Sequence, residues 1–276
     1  MSTFDSDSDG AKMSFKDDMS YIDYLSLDSI LDAQKLRSDA HDEMLFIIQH
    51  QTSELWMRLC LHELEAARNA LTRGDFKSSF KMLARVSRIF EQLNNAWDVL
   101  RTMTPSEYTQ FRDELGASSG FQSHQYRLIE FILGNRNQSL LKVHEHRAEL
   151  HKMLSQELAR KSLYHVVLDL LSDAMGTTFT EEDYRLNESH QASDAVMKAW
   201  ITVYENPKEH WNLYELAEKL VDLEDYFRRW RFNHVTTVER IIGFKRGTGG
   251  TSGVKYLRSM LEVELFPELW NLRGAL

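Results

Sequence analysis

The sequence predicts an all-α fold, and three observations predict it. Long segments rich in Leu, Glu, Lys, Arg and Ala, all good helix formers, alternate with short polar connections. Only three prolines, Pro105, Pro207 and Pro267, interrupt the 276 residues. Apolar residues recur at helical spacing instead of alternating as they would in strands. A hydrophobic content of 42% is ample for a core, and no repeat or linker divides the chain. The expectation is one helical-bundle domain over residues 18–276.

Residues 1–17 (MSTFDSDSDGAKMSFKD) are rich in Ser and Asp and carry too little apolar surface to offset the entropy of ordering, so a disordered tail is expected. The following MSYIDYLSLDSILDAQ turns helical and sets Tyr21 and Tyr24 three apart, an arm able to pack on its own body or on a neighbouring subunit. From Asp42 to Leu71, Met44, Ile48, Leu55, Leu59 and Ala66 form one apolar row, and Phe46, Ile47, Met57, Leu61 and Leu64 a second. Such a helix should be largely buried. His50 lies in the second row, one turn after Phe46.

Further helices are expected at 76–102, 105–115, 121–134, 139–175 with breaks, and 193–204. The segment TPSEYTQFRDELG has a strong start, with Thr104 as N-cap, Pro105 at the first helical position and Glu107 closing a capping box. As one helix it would put Tyr108, Phe111, Arg112 and Leu115 on a single face. The last long helix, 211–242, carries the row Leu213, Leu216, Leu220, Leu223, Phe227, Trp230, His234, Val238 and Ile241 and stops at Gly243.

The net charge of −9 is spread over both signs, leaving no basic stripe to follow a nucleic-acid backbone. Cys60 is the only cysteine, and neither a secretory leader nor an apolar run long enough for a bilayer is visible, so a cytoplasmic protein without membrane or nucleic-acid partners is expected. His144, His146 and His151 in HEHRAELH sit among charges without a zinc-binding spacing and read as surface residues.

Two histidines on apolar faces leave two readings open. Each can be a core histidine satisfied by a carbonyl or side chain, or a ligand to iron or another metal; Phe227 and Trp230 beside His234 would suit the wall of a haem. Arg112 can pair with a nearby carboxylate of the chain or clamp that of a substrate. The loop GFKRGTGGTSGV, Gly243–Val254, suggests a phosphate cradle but fits neither the P-loop nor the dinucleotide spacing, and it follows a helix. It reads as a flexible loop able to approach a ligand closely, with Thr248, Thr251 and Ser252 as hydroxyl donors.

Together the blocks HDEMLFIIQHQTSELW (His41–Trp56), TPSEYTQFRDELGASSGFQS (Thr104–Ser123), WRFNHVTTVERIIGFKRGTGGTSGV (Trp230–Val254) and FPELW (Phe266–Trp270) closely resemble the tryptophan 2,3-dioxygenase family. The resemblance implies a haem b enzyme, active as Fe2+, that uses O2 to cleave the indole C2–C3 bond of L-tryptophan and yields N-formylkynurenine. It also implies a homotetramer. By the same resemblance His234 is the proximal iron ligand and His50 the distal histidine that meets the indole N–H. Phe46 is a wall of the indole pocket, with Ser119 and Trp230 beside the haem. Arg112, helped by Tyr108, clamps the substrate carboxylate, Thr248 meets its ammonium group, and Tyr21 and Tyr24 reach the pocket of a neighbouring subunit. A haem-dependent mono-oxygenase acting on tryptophan or a substituted tryptophan would share every one of these motifs.

Overall fold

The computed structural model describes residues 10–276, so residues 1–9 of the expected tail lie outside the described residues. The regular structure is entirely helical, with no strand among the described residues. In chain order the α-helices are α1 (Tyr21–Leu25), α2 (Leu27–Leu31), α3 (Asp42–Thr72), α4 (Phe76–Leu100), α5 (Pro105–Phe111), α6 (His124–Leu133), α7 (Ala148–Leu158), α8 (Leu163–Met175), α9 (Asp194–Glu205), α10 (Trp211–Ile241), α11 (Val254–Ser259) and α12 (Pro267–Asn271). No helix among the described residues is long and apolar enough to cross a membrane.

The frame is made by α3, α4 and α10. With 31 residues each, α3 and α10 are about 45 Å long, and α4 packs along both. Asp75 caps α4 by accepting from the Ser78 amide at 3.1 Å. The predicted row of α10 is the spine of the core: Leu216, Leu220, Leu223 and Phe227 are fully buried, and Phe90 of α4 meets Phe227 edge-on at 5.1 Å. Helices α6 and α8 cover α3, while α9 and α12 pack on α10. The capping box is present, with Thr104 accepting from the Glu107 amide and Glu107 accepting from the Thr104 amide.

Two fully buried carboxylates tie the chain's end to this frame. Glu224 of α10 accepts from the amides of Leu265 and Phe266 at 2.8 and 3.0 Å and from Trp270 Nε1 at 2.8 Å. Glu268 accepts from Tyr164 Oη at 2.7 Å and the Ser193 amide at 3.0 Å, and pairs with His190 at 2.6 Å. A buried carboxylate is tolerable only when its oxygens are satisfied in this way. The FPELW block thus has a structural purpose, which is to close the core.

Several expectations are corrected. The first row of α3 is not buried at its N-terminal half: Met44, Ile48 and Leu55 are 37%, 46% and 56% exposed. His144 is buried, at 2% exposure, because the chain runs through a 3-10 turn at Gln138–His144 before α7 starts and HEHRAELH is not one solvated helix face. Helix α5 ends at Phe111 and Arg112 opens a 3-10 turn, but the Arg112 amide still donates to the Tyr108 carbonyl, so the two residues keep the expected one-turn spacing on one side. The predicted 121–134 helix starts at His124, capped by Ser123.

Candidate active site

Between α3, α4 and α10, roofed by the Leu115–Ser123 segment and the glycine loop, lies a cavity of about 230 Å³. His50 and Phe46 enter it from α3, Trp97 from α4, Trp230 and His234 from α10, and Tyr108, Ser119 and Thr248 from the roof and its supports. Its lining is mostly apolar with a few convergent polar groups, the composition of a small-molecule site.

The geometry settles the tautomer of His50. Its Nδ1 lies 2.7 Å from the carbonyl oxygen of Phe46, one helical turn earlier, and its ring sits 4.2 Å from the Phe46 ring. A carbonyl only accepts, so Nδ1 carries the hydrogen and Nε2 is left with a lone pair. The surface His50 exposes opens into the cavity, and removal from bulk water lowers its pKa below the ordinary value, against the opposing pull of the Phe46 carbonyl and the Glu54 charge. His50 is therefore a neutral acceptor at neutral pH.

His234 stands on the opposite helix. Its ring stacks on Trp97 at 5.0 Å and 17° and lies 5.5 Å from Trp230. Burial, with a contribution from His50 across the cavity, lowers its pKa to about 4. It too is neutral at physiological pH, with a nitrogen lone pair in an aromatic setting. Phe227, expected beside it as a cavity wall, is instead wholly buried in the core against Phe90 and Tyr126. Trp97 and Tyr126 take the place assigned to it.

The cavity wall also carries charge that sequence reasoning missed. Arg127 of α6 and Arg231 of α10 line it, both 3% exposed, and share one fully buried partner, Glu130. Arg231 is 2.8 Å from Glu130, and its Nε is 3.3 Å from Tyr126 Oη. Two guanidiniums thus share the one carboxylate of Glu130, and Glu54 of α3 brings a further carboxylate to the cavity lining. Periodicity could not reveal this, because Arg231 lies next to the core row in sequence and its partner comes from another helix.

Arg112 does not line the main cavity. It faces an adjoining cleft shared with Tyr108 and Lys245, where its Nη2 donates to the Arg246 carbonyl at 2.9 Å while its buried Nε has no acceptor among the described residues. Thr248 does reach the cavity, and its hydroxyl donates to the Ser118 carbonyl at 2.5 Å. The glycine loop therefore lies latched onto the 112–120 segment. Two of its glycines are dictated by that packing: a Cβ on Gly249 would sit 2.7 Å from Cβ of Ser119, and Gly253, at φ +62°, would place one 2.6 Å from the Lys245 carbonyl.

Tyr21 and Tyr24 are not brought to the cavity of their own chain; they are 73% and 75% exposed.

Comparison with known proteins accounts for this arrangement. The family model described as tryptophan 2,3-dioxygenase matches residues 5–185 and 143–276. A tryptophan 2,3-dioxygenase of Ruegeria pomeroyi is 69% identical over 274 residues, covering 99% of each chain. Its counterpart from Bradyrhizobium diazoefficiens is 65% identical over 279 residues, covering 100% of this chain and 99% of the relative. That of Ralstonia pickettii is 58% identical over 269 residues and 96% of each chain. Likeness of this extent includes the α3, α5 and α10 blocks that build the cavity, and the protein belongs to the tryptophan 2,3-dioxygenase family.

Proposed function

We propose that this protein is a haem-dependent oxygenase that cleaves the indole C2–C3 bond of L-tryptophan with O2 to give N-formylkynurenine. The observation that carries the reading is a pair of neutral histidines facing one apolar cavity from two helices, in a chain whose full-length relatives bear that enzyme's name. Relatives at 58–69% identity carry the dioxygenase name, which does not favour the mono-oxygenase alternative.

The residues present fit haem b. His234 offers a neutral imidazole between flat aromatic rings, and the guanidiniums of Arg127 and Arg231 in the cavity wall suit propionates. Trp97 Nε1 is a buried donor without an acceptor among the described residues. His234 would hold the iron, with Trp230 and Ser119 against the macrocycle. When bound, the haem supplies ferrous iron, the centre at which O2 is activated.

The chain's own residues do the placing. His50 Nε2 accepts from the indole N–H; indole is too weak an acid for this to be a deprotonation. Phe46 flanks the ring. Arg112, released from the Arg246 carbonyl, takes the carboxylate with Tyr108 beside it, and Thr248 accepts from the ammonium group. With the substrate held at both ends, the indole stays within reacting distance, and the closed glycine loop keeps water out.

The quaternary reading is a homotetramer in which the arm bearing Tyr21 and Tyr24 completes a neighbour's pocket. Its support is that α1 and α2 bury no residue on their own chain, and that Tyr21, Ile22, Tyr24 and Leu31, with Met44, Ile48 and Leu55 of α3, are exposed apolar side chains. The tail is read as residues 1–17, the catalytic domain as 18–276 and the compartment as the cytosol.

Turnover under labelled O2 tests the function. Two labelled atoms in N-formylkynurenine are expected; a single labelled atom identifies a mono-oxygenase, and a reduced, haem-loaded protein without turnover identifies a binding protein. A pH profile tests His50. Because its pKa lies below the ordinary 6.5, kcat/KM should be flat from that pH to the alkaline range where the substrate's ammonium group titrates, and on the acid side fall only as the acceptor is protonated. His50→Ala should keep its haem, lose this acid limb and lower kcat/KM by about 10- to 100-fold, the cost of leaving a buried N–H unsatisfied.

A further inference from the structure

Helix α4 grips the turn of α10 that carries His234 at two points. Trp97 lies flat against the imidazole at 5.0 Å. One turn later on the same face, the guanidinium of Arg101 is spent almost wholly on the residues around His234. Its Nε donates to Thr237 Oγ1 at 2.8 Å, and its Nη2 donates to Thr236 Oγ1 at 2.7 Å, Asn233 Oδ1 at 3.0 Å and the Asn233 carbonyl at 3.2 Å. Asn233 is held in turn by donating to Asn94 Oδ1 at 2.9 Å, and Arg240 returns a bond to the Arg101 carbonyl at 3.3 Å.

The placement of these bonds matters more than their number. The acceptors belong to the residue before His234 and to the second and third residues after it. The nearest carboxylate, Asp98, is 3.4 Å from Nη1 and 78% exposed, so ion pairing is not what this side chain is built for. This part of α10 also borders the cavity, lined by His234, Thr237, Val238 and Ile241, and lacks packing atoms on that side. The helix ends soon after at Ile241. A helix segment that borders a cavity near its terminus is where local opening is least costly.

We propose that Arg101 is a positioning residue for the iron ligand: it fixes the rise and rotation of this α10 turn, so that the imidazole held on Trp97 presents its nitrogen to the haem iron in one orientation. The proposal rests on the reading of His234 as that ligand. Groups one step removed from a ligand commonly alter metal affinity by about 10- to 100-fold when lost.

The test uses the haem-loaded protein and resonance Raman spectroscopy of its ferrous form. Arg101→Met keeps the apolar stem and removes the donors. It should shift or broaden the iron–histidine stretching band, speed haem loss to apomyoglobin by about tenfold or more, and lower kcat while leaving KM for tryptophan near that of the unsubstituted protein. Thr236→Val and Thr237→Val, each deleting one acceptor, should move the band the same way by less. They decide the matter if Arg101→Met does not fold. An unchanged band and haem-loss rate in the folded variants, whatever happens to Tm, would overturn the proposal, since a merely structural role moves only Tm. Absence of an iron–histidine band in the unsubstituted protein would overturn the ligand assignment first and the proposal with it.

Discussion

His234→Ala should lose the spectrum of five-coordinate, histidine-ligated ferrous haem and reduce turnover of tryptophan below detection in a routine formylkynurenine absorbance assay. No other histidine can substitute from the same helix face, and His50 stands across the cavity with its Nδ1 committed to the Phe46 carbonyl. The variant should still fold, because the core row of α10 from Leu213 to Phe227 is untouched. Removing the imidazole opens space beside Trp97, so added imidazole should restore part of the Soret band. An unaltered Soret band in the variant without imidazole would refute the assignment.

The haem-free protein offers an independent check on the same residue. The pKa of His234 is lowered to about 4 in the fold from an ordinary 6.5. Below 6.5 the unfolded chain binds a proton that the folded chain refuses, so stability is fully present above 6.5 and is lost as pH falls toward 4. His234→Ala should remove this contribution and flatten the acid limb of Tm against pH in the apoprotein. The remaining slope belongs to the other buried histidines, among them His165, also lowered to about 4 mainly by burial, and to carboxylates held below their ordinary values, such as Glu43 and Glu65.

Arg112→Leu should lower kcat/KM for L-tryptophan by several hundred-fold, equivalent to about 3–4 kcal/mol for the loss of a charge-assisted carboxylate contact. Arg112→Lys should fall between, since an ammonium keeps the charge but not the planar fork. The discriminating substrate analogue is tryptamine, which lacks the carboxylate: the unsubstituted protein and Arg112→Leu should bind it equally, as read by Soret perturbation. A leucine variant that handles tryptophan as well as the original would refute the clamp. Without substrate this arginine donates to the Arg246 carbonyl, so the same side chain that would receive the carboxylate holds the glycine loop down. The variant should therefore also raise protease sensitivity within 243–253.

The core row of α10 and the start of α5 were legible residue by residue, because 3.6-residue periodicity and capping chemistry are local. So was the pairing of His50 with Phe46, one turn apart on α3. The Phe227 assignment went wrong for a physical reason: periodicity says which face of a helix is apolar but not where along that face the core ends and a cavity begins. The row Met44, Ile48 and Leu55 went wrong similarly, since apolar spacing does not say which chain will cover it.

By itself the sequence determined the all-α class, the limits of α3, α4, α9 and α10 within a few residues, and, through its long matching blocks, the family and part of the cavity lining, with Phe46, His50, Tyr108, Ser119, Trp230, His234 and Thr248. These are written in local spacing and in residue type. Only the tertiary structure decided that His50 is a hydrogen-bond acceptor at Nε2, that Arg127 and Arg231 share Glu130 in the cavity wall, that Arg112 is engaged by the loop, and that Arg101 grips the turn of His234. Each of these except the His50 tautomer depends on groups distant in sequence. Even that tautomer matters only because α10 and the loop close a cavity over it, which removes the ring from bulk water and lowers its pKa.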